Sequence, residues 1–338
     1  MNFSLLEQQD SKCMYKTYDL WPELAKKAFE SNLKTLSLHN IKHIVLAGMG
    51  GSGAICEVLS SILSETNIHT NVVKGYHLPN TVNEKTLVVV VSVSGNTSET
   101  LSILESAFKK SCHIVSFSSG GKMEKICNEK KILHYLISMH HSPRSSFPSF
   151  LYSMLNVMYD ILPISKSDIY QSIDELENLK KNICSNNLIN SNISLSLAKQ
   201  IVGIPILYYP WGLKSAAIRF KNSLNENTKI HAISVDIVEA AHNEIVAWEK
   251  KSNVIPIIIR GPNDYEKTQV LQTTLEKYFK EYEINFLTIN SISGSILTKL
   301  TYLIYLCDYA SIYAAVLSKS DPTPVNSINY FKKHCLEK

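Results

Sequence analysis

Apolar residues in this chain come in short unbroken runs separated by stretches with helical spacing. Residues 43–48 form such a run, ending in glycines, and the helix-compatible residues 54–63 follow, a pattern that predicts strand, turn, helix. The same cadence returns at 70–76 and at the β-branched run 87–93, which leads into Ser94-Gly95-Asn96-Thr97 and a helical stretch at 99–109. Residues 113–117 and 132–137 add two more strands, and a helical stretch at 21–38 precedes them all. Short strands rich in Val and Ile are what a parallel sheet requires when helices bury both of its faces.

Between residues 162 and 197 Ser, Asn, Lys and Glu dominate, with helical stretches at 173–183 and 195–200, which predicts a domain boundary nearby. Strands restart at 204–209, 230–235, 254–260 and 284–289, separated by helices at 213–224, 264–280 and 296–317. Pro322 and Pro324 stop the last of these, and a helical tail at 327–336 closes the chain. The second half repeats the architecture of the first without any short-period repeat, so a fold is duplicated and no solenoid is formed. The expectation is an α/β protein of two doubly wound domains, residues 1–155 and 156–338, each with a mainly parallel sheet flanked by helices.

Composition supports that division, since 338 residues exceed the roughly 100–200 typical of one domain. Apolar residues are 45% and charged residues 19%, a globular balance. Lys and Arg total 34 against 30 acids, so the net charge is 34 − 30 = +4, too mild to argue for nucleic acid. Only three of the basic residues are arginines, Arg144, Arg219 and Arg260, and only Arg144 falls in a predicted loop. Residues 1–13 lack the basic start and apolar core of a signal peptide. No uninterrupted apolar run approaches the roughly 18 residues of a membrane helix, 201–211 being among the longest, so a cytoplasmic location without membrane is expected. Seven scattered cysteines without a CxxC pair argue for reduced thiols, against both a disulfide framework and a zinc site.

The turn Gly48-Met49-Gly50-Gly51-Ser52-Gly53 satisfies GxGxxG between a strand and a helix, the setting of a dinucleotide fingerprint. That assignment also wants an acid at the end of the second strand to hold a ribose, and residues 71–76 supply none. A second loop, Ser92-Val93-Ser94-Gly95-Asn96-Thr97-Ser98, also lies between strand and helix. Two such loops converging at strand ends suit a phosphomonoester: helix N-terminal amides and hydroxyls donate, and the dipole favours the anion. The alternative is that these hydroxyls only cap helices. Both stretches resemble the phosphosugar-binding loops of SIS-domain (sugar isomerase) proteins, although the family commonly has an aromatic where Val93 stands. By that resemblance Gly51, Ser52, Ser92, Ser94 and Thr97 hold a sugar phosphate on a SIS-type fold.

Catalysis needs further residues. The helix at 213–224 ends in Asn225-Glu226-Asn227-Thr228, where the negative end of the dipole would raise the pKa of Glu226 toward that of a general base, the alternative being a solvated acid. After the next strand comes His242-Asn243-Glu244-Ile245. These two clusters, with Ser142-Pro143-Arg144 and the C-terminal Asp321-Pro322-Thr323-Pro324-Val325 followed by Ile328 and Lys332, closely resemble the pattern of the bifunctional phosphoglucose/phosphomannose isomerases of the SIS superfamily. The resemblance runs from the first glycine loop almost to the C-terminus.

It implies aldose–ketose isomerisation of a hexose 6-phosphate through a cis-enediol, with no cofactor and no metal. Glu226 would carry the proton between C2 and C1, and His242, contributed across a homodimer interface, would open the sugar ring with Lys332. Arg144 would stabilise the enediolate oxygen, for which its planar fork suits better than Lys; the alternative for Arg144 is a surface ion pair. A family threonine near C1–C2 corresponds to Thr323, or, aligned through Lys332, its place falls to Val325. Lys332 stands beside Lys333, as in a solvated helix face. His140-His141 lacks the neighbours of a metal site. Two rivals stay open: a noncatalytic SIS sugar-phosphate sensor, and an amino-sugar phosphate isomerase or deaminase.

Overall fold

The structure, a computed structural model, describes residues 1–336, with side chains through residue 334. Three helices open the chain: α1 (Phe3–Gln9), α2 (Met14–Asp19) and α3 (Trp21–Phe29). The helix expected at 21–38 stops at Phe29. The Ser31 hydroxyl binds the Ala28 carbonyl at 2.6 Å, and the Leu36 amide bonds the Val157 carbonyl at 2.7 Å, which draws the following residues out of the helix. The first α/β run is β1 (His43–Gly48), α4 (Gly50–Leu63), β2 (His69–Val73), β3 (Thr86–Ser92), α5 (Ser98–Phe108), β4 (His113–Ser118), α6 (Gly121–Lys130), β5 (Leu133–Leu136) and α7 (Phe147–Val157). Helices α8 (Lys166–Ile183) and α9 (Ile193–Gln200) lead to the second run: β6 (Ile204–Tyr209), α10 (Lys214–Ser223), β7 (Ile233–Asp236), α11 (Ile237–Ala240), β8 (Val254–Arg260), α12 (Glu266–Glu281), β9 (Leu287–Asn290) and α13 (Ile296–Leu317). A terminal helix, α14 (Asn326–Phe331), and a π-helical turn (Lys332–Leu336) finish the description.

The strands form two wholly parallel sheets, ordered β2-β1-β3-β4-β5 and β7-β6-β8-β9, so the duplicated doubly wound α/β architecture is present. Val45, Ala47, Val88 and Val90 pack one face of the first sheet against Ile103 and Leu104 of α5 and Met123 of α6. The alternate residues Ile44, Leu46, Val89 and Val91 are equally buried, as covering both faces requires. Each such side chain contributes about 1.5–3 kcal/mol. In the second sheet Ile206, Tyr208 and Ile258 meet Ile237, Trp248, Leu275 and Phe279. Strands β7 and β9 begin later than their apolar runs because the leading residues close turns instead. The Ile230 carbonyl accepts from Asn225 Nδ2 at 2.8 Å, and the Ile284 amide caps α12 through the Phe279 carbonyl at 2.7 Å.

The chain divides into two compact units, and neither is a simple half. The amino-terminal unit comprises Leu20–Tyr170 and the tail from Phe331; the carboxy-terminal unit comprises Gln171–Tyr330 and Met1–Asp19. This departs from a single cut after residue 155, for a physical reason. The Tyr18 carbonyl accepts from Tyr305 at 2.8 Å, and the Asp19 carboxylate takes the hydroxyls of Tyr309 and Ser185, which ties the first helices to α13. Helix α13 is interrupted by Lys299 and Asp308, so it holds no unbroken apolar run of membrane-spanning length. Its 22 residues have the length and mean hydropathy of a membrane span, but 89% of its 18-residue apolar window is buried, as in the core helix of a folded domain.

Candidate active site

In both sheets the order reverses beside the first strand of the run, between β1 and β3 and between β6 and β8, and loops at such a reversal part to leave a crevice. In the amino-terminal unit that crevice receives the two loops singled out in sequence. At the start of α4, a side chain on Gly51 would meet the Pro143 carbonyl oxygen at 3.3 Å and the Arg144 Cα at 3.4 Å, so the bare glycine lets residues 143–144 lie against the turn. Ser52 is buried and its Oγ accepts the Val93 amide at 3.1 Å, which pins one loop to the other. The hydroxyls of Ser92 and Thr97 share a hydrogen bond of 3.0 Å. Thr97 stands at the N-cap of α5 without making the capping bond, and no side chain caps α4. These hydroxyls are therefore not ordinary N-caps. Ser94 Oγ accepts the Asn96 amide at 3.3 Å, and Asn96 Oδ1 accepts the amide of Lys122 at 3.0 Å. Gly95, at φ +67°, lies so close to Gly120 that a Cβ would fall 1.8 Å from its carbonyl oxygen.

Ser94, Thr97, Lys122 and Lys332 line one cavity of about 440 Å³, together with Asn96, Ser98 and Glu99. The terminal turn thus places Lys332, expected from sequence, at the second loop of its own chain. Arg144 is buried in the turn after β5, where Ser142, Ser145 and Ser146 hydrogen-bond among themselves and to the His140 carbonyl. Gly51, Ser52, Ser92, Ser94, Thr97, Arg144 and Lys332 are gathered by the loops of one sheet end and by the tail.

In the carboxy-terminal unit α10 continues as a π-helical turn, Leu224–Thr228, a deformation frequent at functional sites. Asn227 Nδ2 donates to Ser311 Oγ at 2.8 Å and the Thr228 hydroxyl to the Ser311 carbonyl at 3.0 Å, so the side of the turn that follows Glu226 is bolted to α13, and Glu226 itself is half-buried. Beneath it lies a pair that sequence reasoning missed: Arg219 Nη2 meets Asp308 Oδ2 at 2.6 Å, with the side chains 2% and 0% exposed. Burial alone would lower the arginine pKa, but Asp308 outweighs it and raises the pKa, and Glu226 lies within electrostatic reach of the same guanidinium. A usable signal was present, because an acid within an otherwise apolar helix must find a partner. Lys229, at φ +62°, donates to the carbonyls of both Glu226 and Pro322, bringing the Thr323 segment to the turn; the Thr323 amide is held by Asp321 Oδ1 at 2.9 Å.

His242 is exposed, in the loop after α11. The structure does not bring it to Glu226 within one chain. Helix α10 runs antiparallel to the strands, so Glu226 sits at the entry to β7, whereas His242 follows its exit, and the strand between them spans roughly 13 Å. The neighbouring Glu244 is anchored instead: Tyr208 donates to its carboxylate and accepts from Trp248 Nε1 at 2.8 Å. Burial raises the Glu244 pKa against the lowering effect of these hydrogen bonds.

Residues 37–159 match the SIS domain, and residues 190–335 match the bacterial phospho-glucose isomerase C-terminal SIS domain. The class is thus a tandem SIS-domain protein, its first domain bearing the loops and its second the π-helical turn. A bifunctional phosphoglucose/phosphomannose isomerase of Aquifex aeolicus is 30% identical over 319 residues, covering 93% of each chain. The protein of that name from Caldicellulosiruptor bescii is 29% identical, over 96% of this chain and 99% of its own. A D-glucosamine-6-phosphate 4-epimerase of Sulfolobus acidocaldarius is 30% identical over 76% of this chain and 81% of its own. Among solved structures, a tagatose-6-phosphate ketose/aldose isomerase from Escherichia coli shares the fold with TM-score 0.66 at 15% identity, each chain covered to 95%. The chain belongs to the bifunctional phosphoglucose/phosphomannose isomerase family.

Proposed function

We propose that this protein is an aldose–ketose isomerase interconverting glucose 6-phosphate, and mannose 6-phosphate, with fructose 6-phosphate through a cis-enediol. The observation that carries this reading is the near-full-length similarity to the Aquifex aeolicus isomerase. The phosphate is received by Gly51, Ser52, Ser92, Ser94 and Thr97, whose loops present hydroxyls and helix N-terminal amides. Glu226 takes the C2 proton of the open-chain aldose and returns it to C1, while a proton passes between the C1 and C2 oxygens; the ketose forms and no atom is lost. Arg144 stabilises the negative charge on the enediolate oxygen. Such a donor supplies about 2.7–4 kcal/mol and a general base about 10²–10⁴-fold, so neither alone suffices.

His242 opens the ring with Lys332, and it comes from a second copy of the chain in a cytoplasmic homodimer. Its place at the opposite end of β7 from Glu226 supports that assignment. Thr323, held near the Glu226 turn, gives room for either configuration at C2. The similarity to the Sulfolobus acidocaldarius epimerase favours one second reading, an enzyme of amino-sugar phosphates. Coupled assays of purified protein on glucose, mannose, fructose and glucosamine 6-phosphates test the choice. Turnover of the first three supports the proposal; turnover of glucosamine 6-phosphate alone, or of none, overturns it.

A further inference from the structure

Behind the turn that carries Arg144, the amino-terminal unit holds a separate open cleft of about 180 Å³ bordered by α3, the end of β5 and α7. Two serines one helical turn apart on α7 line it. Ser149 and Ser153 are 5% and 3% exposed, and among the described residues neither hydroxyl has a hydrogen-bond partner. Lining the open cleft, both hydroxyls are free to donate to a ligand or to solvent. Lys27 and His140 stand on the same cavity. Burial, and then the charge of Lys27, hold the His140 imidazole below the usual histidine range, so near neutrality it is uncharged and offers one N–H. An ammonium, two hydroxyls and that N–H make a donor set, and no carboxylate lines the cavity. The remaining wall is mostly apolar, with Leu24, Leu33, Leu136 and Ile137 beside Ser138 and Ser31, whose hydroxyl is taken by the Ala28 carbonyl. At about 30 Å³ for each water of liquid volume, the space takes roughly six non-hydrogen atoms.

We propose that this cavity binds a small aliphatic carboxylate, its oxygens held by Lys27, His140, Ser149 and Ser153 and its short chain against the leucines. A mostly apolar wall beside these donors fits such an acid better than inorganic phosphate. The site lies apart from the phosphate loops and does not depend on the proposed reaction.

The test is NMR of histidine-labelled full-length protein titrated with butyrate and, separately, with inorganic phosphate, the His140 signal being identified by its loss in His140→Gln. Butyrate is expected to move that signal saturably and to raise the pH at which it titrates. Lys27→Gln, a change at an exposed side chain, and the double variant Ser149→Ala/Ser153→Ala should each weaken butyrate about fivefold or more, in line with lost hydrogen bonds. Ser52→Ala, in the phosphate loops, should leave the affinity unchanged. No saturable movement, undiminished affinity in both cavity variants, or tighter binding of phosphate than butyrate would each overturn the proposal.

Discussion

Replacing Arg219 by Leu removes the counter-charge of Asp308 while leaving that acid buried. The carboxylate accepts from Arg219 Nε at 3.2 and 3.1 Å and from Nη2 at 2.6 Å, from Ser223 at 2.6 Å and from Tyr18 at 3.3 Å. After substitution only the two hydroxyls remain, and an uncompensated buried charge costs about 3–5 kcal/mol. At about 2–4 °C per kcal/mol for a unit of this size, Tm should fall by roughly 6–20 °C. The doubly substituted Arg219→Leu/Asp308→Leu carries no buried charge and should recover most of the loss, because apolar replacement of a buried pair is often neutral. Circular dichroism and urea melts of wild type, both single variants and the double close the cycle. A single variant melting with wild type, or a double variant as unstable as the two losses summed, would refute the buried-pair argument. Since α10 leads directly into the Glu226 turn, the single variants should also lose turnover.

Three further outcomes are expected. Gly95→Ala puts a Cβ against the Gly120 carbonyl and forces a residue other than glycine to a positive φ, which by itself costs about 1–2 kcal/mol; KM for the sugar phosphate should rise, and an unchanged KM with unchanged Tm would contradict this. Ser52→Ala strands the Val93 amide, a loss of about 1–3 kcal/mol that thermal melts should register together with a raised KM. Glu244 has a folded pKa above its unfolded value of about 4.3, so its contribution is full below that pH and is lost as pH rises through the folded pKa. Stability of wild type should therefore decline, relative to Glu244→Gln, as pH rises from about 4 toward neutrality, and parallel stability curves would contradict it.

What could be read from sequence was whatever a local pattern encodes. The run at 43–48 is β1, 204–209 is β6, 254–260 is β8 and 296–317 is α13, because continuous burial needs continuous apolar residues. The two hydroxyl loops and Arg144 were legible because each stands between a strand and a helix. Long-range pairing left no such trace. Arg219 and Asp308 lie 89 positions apart, Arg219 beside Lys214 and Lys221 on α10 and Asp308 as the one acid of the apolar α13. The tie between Tyr18 and Tyr305 spans 287 positions, so the place of the first 19 residues in the carboxy-terminal unit was invisible. Lys332 could be named from sequence, but its position on the cavity beside Ser94 required the path of the tail.

The central claim is that Glu226 moves a proton between C2 and C1. Glucose 6-phosphate deuterated at C2 tests it directly, with formation of fructose 6-phosphate and the fate of the label followed together by NMR. Wild type should form the ketose with label carried to C1 or released to water, and Glu226→Gln, shown to be folded by its melt, should slow both about 10²–10⁴-fold. Label transfer and product formation by Glu226→Gln at the wild-type rate would contradict the assignment of the base.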